Sequence, residues 1–519
     1  MPYTPNNPLI PGDPYSYDLK WIVRQIKAWR DPLDSAERAE ASAEAAAISA
    51  AEAQAAAGSL DQPFVTPEMF GAEGDGVTDD KTAFAFALAS GKPVFCHGDK
   101  TYVVGVSTGD NNGIQLPAGA ILMLNGATIK VSNPDNLTTY QIINATGISN
   151  ALICNGTIIG DRLDHSGSTG EHGMGLNIFE SSDITAKDLH ISNCWGDGVY
   201  IGGTGSSSEH IIIENIHCYN NRRNGLSVVN GDDVKIIGCT FEDTNGTAPE
   251  YGIDIETNSA SDKARKIVIS DCNFIDNVQG SINVYVHSTD ASVNISDINC
   301  DGIISAVFLD DNCMCNISNI NSVPKNGMSA FCAGAYGNST VKINNANINA
   351  VNGLESILKY AYNQPHNNIN CKAYVFGGTI ARIVLAYDTT TQFNCHNDFN
   401  AKNVTVTTPL YAVPNETEPS NSGNYEDVYI ASSNIICGAY SRAIMPNNLS
   451  PTNLNLYYAA PSFAWHVIKN EDSVSHNLIN ATFRDIIAGT TVTTLTIAPG
   501  ELIYYKYLAE TQEVIFYKI

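Results

Sequence analysis

Two carboxylates spaced two residues apart in a β-type segment are the sharpest chemical signal in this 519-residue chain. The segment YGIDIET carries them as Asp254 and Glu256. On a strand, residues i and i+2 face the same way, and strand rise puts their Cα atoms roughly 6.5–7 Å apart. Carboxyl groups roughly 6.5–9.5 Å apart suit inverting glycoside hydrolysis, in which one protonates the leaving oxygen and the other activates water. Like charges this close also split their pKa values, which separates an acid from a base. The bland alternative is a pair of solubility charges. Mid-strand carboxylates are disfavoured, however, so Asp254 and Glu256 are the expected catalytic pair.

Aromatic side chains surround this segment in sequence: Trp195, Tyr200, Tyr219, Tyr251 and Tyr285. Aromatic faces pack on sugar rings, so a row of them along a groove suits a glycan. Packing between neighbouring chains is the competing use. Arg222 and Arg223, in the turn NNRRNG, could hold a carboxylate or phosphate on the substrate, or could pair with Asp197 of WGDG. Asn283 joins the expected substrate-binding set. Asp197 reads mainly as a turn residue and is a second-choice acid, together with Asp310 and Asp311 of FLDDN. His165 and His172, in DHSGSTGEHGMG, are ordinary surface histidines unless a base is needed. No zinc, nucleotide or flavin motif occurs, so no metal or cofactor is expected.

These residues need a scaffold that aligns them. From about 114 to 445 short alternating strands recur between Asn, Asp and Gly turns, as in DITAKDLHISN, HIIIENIHCYN and KIVISDCNFIDN. A second strand type follows each: DGVYIGG, NGLSVVN, YGIDIET, SINVYVH and SAVFLDD. The step is about 27–29 residues, which marks a solenoid. Without helices between the strands it is a parallel β-helix. Stacking then makes columns. Val199, Leu226, Ile253 and Ile282 point inward, as do Ile201, Val228, Ile255 and Val284. Tyr200, Ser227, Asp254 and Asn283 point outward, and Gly202, Val229, Glu256 and Tyr285 form the next outward column. By the same step Asp310 and Asp311 continue the Glu256 column. Asn193, Asn220, Asp243 and Asp276 should ladder at a turn.

Composition narrows the partners. The net charge of −26 repels nucleic acid and anionic membrane. Thirteen scattered cysteines without CxxC pairs read as reduced thiols used as small core hydrophobes. The opening segment MPYTPNNPLIPGDPYSYD has neither a basic start nor an apolar run, so no signal peptide is expected, and no membrane span occurs. These features fit synthesis in a reducing cytoplasm.

The segment FGAEGDGVTDD, ending at Asp80, resembles the pectate-lyase-like family of phage tail spikes and related β-helix enzymes. In that family FGAxGDGxTDD opens the helix and precedes a capping helix, so Asp75, Asp79 and Asp80 are expected to be structural. The resemblance implies a homotrimeric, right-handed parallel β-helix: a receptor-binding tail spike or appendage of a bacteriophage. It would bind a host cell-surface polysaccharide and cleave it as a glycoside hydrolase-type depolymerase. A glycan-acting protein made without a secretion signal fits a virion part released by lysis. A non-catalytic glycan-binding or structural virion fibre is the first alternative. A uronate lyase or epimerase is the second. YGIDIET is similar to the epimerase-type motif YGFDPHE at Tyr251, Gly252 and Asp254, but Glu256 stands at the His position. The polygalacturonase-type motifs NTD and GHG are absent.

The expected organisation has five parts. Residues 1–33 dock onto other virion tail or head proteins. Residues 34–59 form an Ala-rich helix, a trimeric stalk whose Ala seam has 3-4 spacing. Residues 60–113 start and cap the β-helix, 114–445 form it, and 446–519 form a small antiparallel β domain.

Overall fold

In the computed structural model the chain is described without a break from residue 62 to 351, and beyond that as separate strands and short segments between 353 and 518. The expected docking segment 1–33 and stalk 34–59 lie outside the described residues. Among the described residues two large parallel sheets, of 18 and 13 strands, wind around one core as a parallel β-helix. Past residue 428 the strands are mixed. Arg442–Met445 pairs in parallel with His466–Asn470, whereas Leu502–Leu508 pairs antiparallel with Glu513–Lys518.

The start of the coil is built by the segment FGAEGDGVTDD. Asp80 is buried, and its carboxylate accepts from the Glu73 and Val103 N–H groups at 2.7 and 3.4 Å. Asp75 accepts from Val77 and Thr78 N–H, and Asp79 from Lys81 and Gly105 N–H. These carboxylates satisfy turn backbone. The helix Lys81–Ala89 follows and buries Ala83, Phe84, Ala87 and Leu88. Phe84 meets Tyr102 edge-on at 5.2 Å, which closes this end of the core.

Each rung then contributes a long strand, bent or broken into shorter pieces, to the larger sheet and one strand to the smaller. The bend is made by left-handed residues: Asp188, Asn215, Asp271, Asp297, Asn319 and Asn345 have φ between 50° and 58°. Asn and Asp tolerate that conformation best among non-glycine residues. A second such ladder, Asn193, Asn220, Asp243 and Asp276, turns the chain after the long strand, and Asn220 donates to Asn193 at 2.6 Å. On the smaller sheet the two expected inward columns, from Val199 to Ile282 and from Ile201 to Val284, are fully buried. Among the described residues the cysteines are free, and most are buried in the same core.

Candidate active site

The site lies on the outer face of the smaller sheet, where Val199–Gly202, Leu226–Val228, Tyr251–Glu256 and Gly280–Val286 run side by side. Inward packing of Ile253 and Ile255 forces Asp254 to the outer face between them. Tyr200, Ser227, Asp254 and Asn283 are successive register partners, and Glu256 is paired with Tyr285. Asp254 is nevertheless only 2% exposed, because neighbouring rungs cover it. Asn224 Nδ2 donates to one carboxylate oxygen at 3.2 Å, and Asn283 Nδ2 donates to the other at 2.9 Å. Asn224 cannot flip without loss, because its carbonyl accepts the Tyr251 N–H at 3.1 Å.

Burial pushes the Asp254 carboxyl up to about 6. The Asn283 hydrogen bond and the Arg223 charge oppose that rise, and the Glu256 and Asp197 charges add to it. Asp197 is fully buried two strands further back, just before Val199–Gly202. It accepts from Ser227 Oγ at 2.7 Å and Asn224 N–H at 3.0 Å, and pairs with Arg223 at 3.0 Å. Burial raises its carboxyl, and Arg223 opposes this. Burial works against the Arg223 charge too, but Asp197 and Asp254 outweigh it and the guanidinium pKa rises. Glu171 adds a contact to Arg223 at 3.5 Å. Tyr251 is half-buried, and its phenol is pushed up to about 12 by burial. Tyr200 is raised for the same reason.

A protein-family model described as a right-handed beta helix region matches residues 94–298. The chain is 30% identical over 263 residues to the pre-neck appendage protein of Bacillus phage phi29, covering 46% of this chain and 29% of that protein. It is 28% identical over 221 residues to the SPbeta prophage-derived protein YorA of Bacillus subtilis, covering 38% and 37%. The chain is a right-handed β-helix protein related to the phi29 pre-neck appendage protein. Its match spans well under half the length of either relative. The fold is shared with the tailspike of E. coli bacteriophage HK620, solved in complex with a pentasaccharide: TM-score 0.51, 10% identity, 86% of this chain and 84% of the other.

Several expected site residues of this appendage-related β-helix stand elsewhere. Trp195 is 5% exposed, so it offers no face to a sugar. His165 stacks on it at 3.7 Å, and the Arg222 guanidinium lies 4.0 Å from the ring centre. Arg222 spends its donors on the Ser168 and Gly170 carbonyls at 2.6 and 2.5 Å. His165 in turn holds Asp161 at 2.7 Å, and Tyr140 donates to the same carboxylate. Trp195, Arg222 and His165 thus staple the 161–172 loop to the coil. His172 is exposed at the start of its own strand and is not part of this stack.

Tyr219 is on the other sheet, beside His190 and His217, and does not share a face with Asp254. Asp310 and Asp311 do not continue the Glu256 column either. Its register runs from Glu256 to Tyr285 to Val307. Asp311 caps a turn by accepting from Asn338 N–H at 2.6 Å. Tyr285 is half-buried and meets His287 edge-on at 5.3 Å.

The sequence reading missed Asn224 and Glu171. Asn224 was detectable, since it stands one 27-residue step after Asp197. Glu171 sits in the stapled loop, and no periodic signal points to it. Among the described residues no group of three or more His, Cys, Asp or Glu side chains is arranged to hold a metal ion.

Proposed function

We infer that the chain belongs to a phage virion appendage whose β-helix grips a bacterial cell-surface polysaccharide and hydrolyses it at Asp254. One observation carries this reading: a carboxyl group on the outer face, held near pKa 6 by burial, with Glu256 two residues on along the same strand face. An acid that keeps its proton close to neutral pH can protonate a glycosidic oxygen. Glu256 is the partner that activates water in an inverting displacement. Asp197 orients Arg223, Ser227 and Asn224 and takes no part in bond cleavage. Tyr200 and Asn283, in register with Asp254, and Tyr285, in register with Glu256, flank the pair on the outer face, and Tyr251 begins the same strand. The relation to a phage appendage protein supports the virion setting, and the fold shared with a glycan-bound tailspike supports a glycan ligand. In this reading the chain works as a homotrimer, docks through residues 1–33 and carries its coil on the Ala-rich stalk.

The test is depolymerisation of purified wall and capsular polysaccharide, Bacillus preparations first because the sequence relatives come from Bacillus and its phages. Size-exclusion and reducing-end assays should show chain shortening by the wild-type protein. Asp254→Asn and Glu256→Gln should each lower the rate by roughly 100-fold or more. If both variants cut like wild type, the chemistry lies elsewhere.

One observation favours a second reading, a non-catalytic adhesin. Asp254 is almost covered, and both its oxygens accept amide hydrogen bonds. A sealed network of that kind also stiffens a purely structural rod. Tight glycan binding without any shortening would establish this reading instead.

A further inference from the structure

The larger sheet carries a second polar feature, on the other sheet from Asp254. Asn273, Asn299, Asn321 and Asn347 are successive register partners on its outer face. Their amides link head to tail: Asn299 donates to Asn273 at 3.0 Å, Asn321 to Asn299 at 3.2 Å, and Asn347 to Asn321 at 3.2 Å. The neighbouring column, Asp297, Asn319 and Asn345, has left-handed backbone, so the bend explains those residues. No such demand applies to the first column, and Asn is otherwise depleted in strands.

The two columns line an open groove of about 300 Å³. Every amide in the rail has a second N–H and a second oxygen lone pair beyond the ladder. Donors and acceptors therefore repeat along the rod every ~4.8 Å. The rail continues in register into Tyr374, which is 40% exposed, and Phe376, two residues on, is 45% exposed. At the other end the same column runs back to His217, beside the exposed ring of Tyr219. Uncharged amides at a fixed repeat, with aromatic rings at both ends, match one ligand chemistry: an extended polyhydroxylated chain whose rings stack and whose hydroxyls both donate and accept.

We propose that this groove is a second glycan-binding track, separate from the carboxylate site and without catalytic groups. It would hold a linear oligosaccharide along the rod axis.

The test uses the full chain in the Asp254→Asn background, so that no probe is consumed, on an array of linear oligosaccharides of defined composition. Tyr374→Ala and Asn321→Ala are added singly, with thermal melts to verify folding and light scattering to report molecular mass. Each should weaken retention of the bound oligosaccharides about tenfold or more, at unchanged mass. Tyr374→Ala guards against a ladder effect, because its ring is not a member of the amide chain. The proposal is overturned if no array member binds, or if both folded variants bind like their parent. It is equally overturned if the variants change the mass and leave binding intact, since the face would then contact a second copy of the chain.

Discussion

Arg223 reaches back to Asp197, with Nη1 3.0 Å from Oδ2, rather than forward to Asp254. The single guanidinium in the cluster thus closes a contact pair with the deeper carboxylate. Asp254, on the next strand, receives only its field. Burial raises both carboxyls; Asp197 has the guanidinium in direct contact to oppose that rise, and Asp254 does not.

Stability should fall as the solution becomes less acidic, because of Asp254. Its folded pKa is about 6 against an ordinary 3.8. Between those values the folded chain holds a proton that the unfolded chain has released, so stability declines as pH rises through the window. The penalty is complete above pH ~6 and amounts to about 3 kcal/mol. Asp254→Asn removes the buried charge. It should raise stability by about 1–3 kcal/mol at pH 7.5 and by much less at pH 4, as measured by denaturant unfolding. A variant that is less stable at both pH values would make the carboxylate a structural anchor.

The charge on Glu256 raises the Asp254 pKa. In Glu256→Gln, the Asp254 carboxyl should therefore titrate at lower pH, by a fraction of a unit to about one unit. Carbon-13 NMR of aspartate-labelled protein, with Asp254→Asn as the assignment control, reads this directly. An unchanged titration would mean that the two carboxylates do not share one site.

Trp195→Ala should destabilise the coil by about 3–5 kcal/mol and open the 161–172 loop to limited proteolysis. Glycan affinity should change only as far as the loop does. Unaltered unfolding combined with lost binding would restore Trp195 as a sugar platform.

The fold was legible because a β-helix writes its geometry into sequence. Alternation sets inside from outside, and the repeat sets which residues stack, so the columns through Ile253 and Asp254 could be read directly. Two kinds of information were not local. Trp195 is turned in by a loop that crosses from Asp161 to His172, a contact no periodicity announces. Asp310 and Asp311 were misplaced because the rung shortens. Asn299 and Asn321 are partners only 22 residues apart, so a constant step overshoots in that region. Tyr219 shows a third limit, since an aromatic near the site in sequence can belong to the other sheet.

In the proposed reaction Asp254 donates the proton that breaks a glycosidic bond. The most direct measurement compares reducing-end release by the wild-type chain and Asp254→Asn on the same polysaccharide at pH 5, where the carboxyl is mostly protonated. Release by the wild type is expected, slowing as pH rises past 6, with roughly 100-fold to 10,000-fold less by a variant that is folded and still binds. Equal release by the two proteins would contradict the proposed reaction.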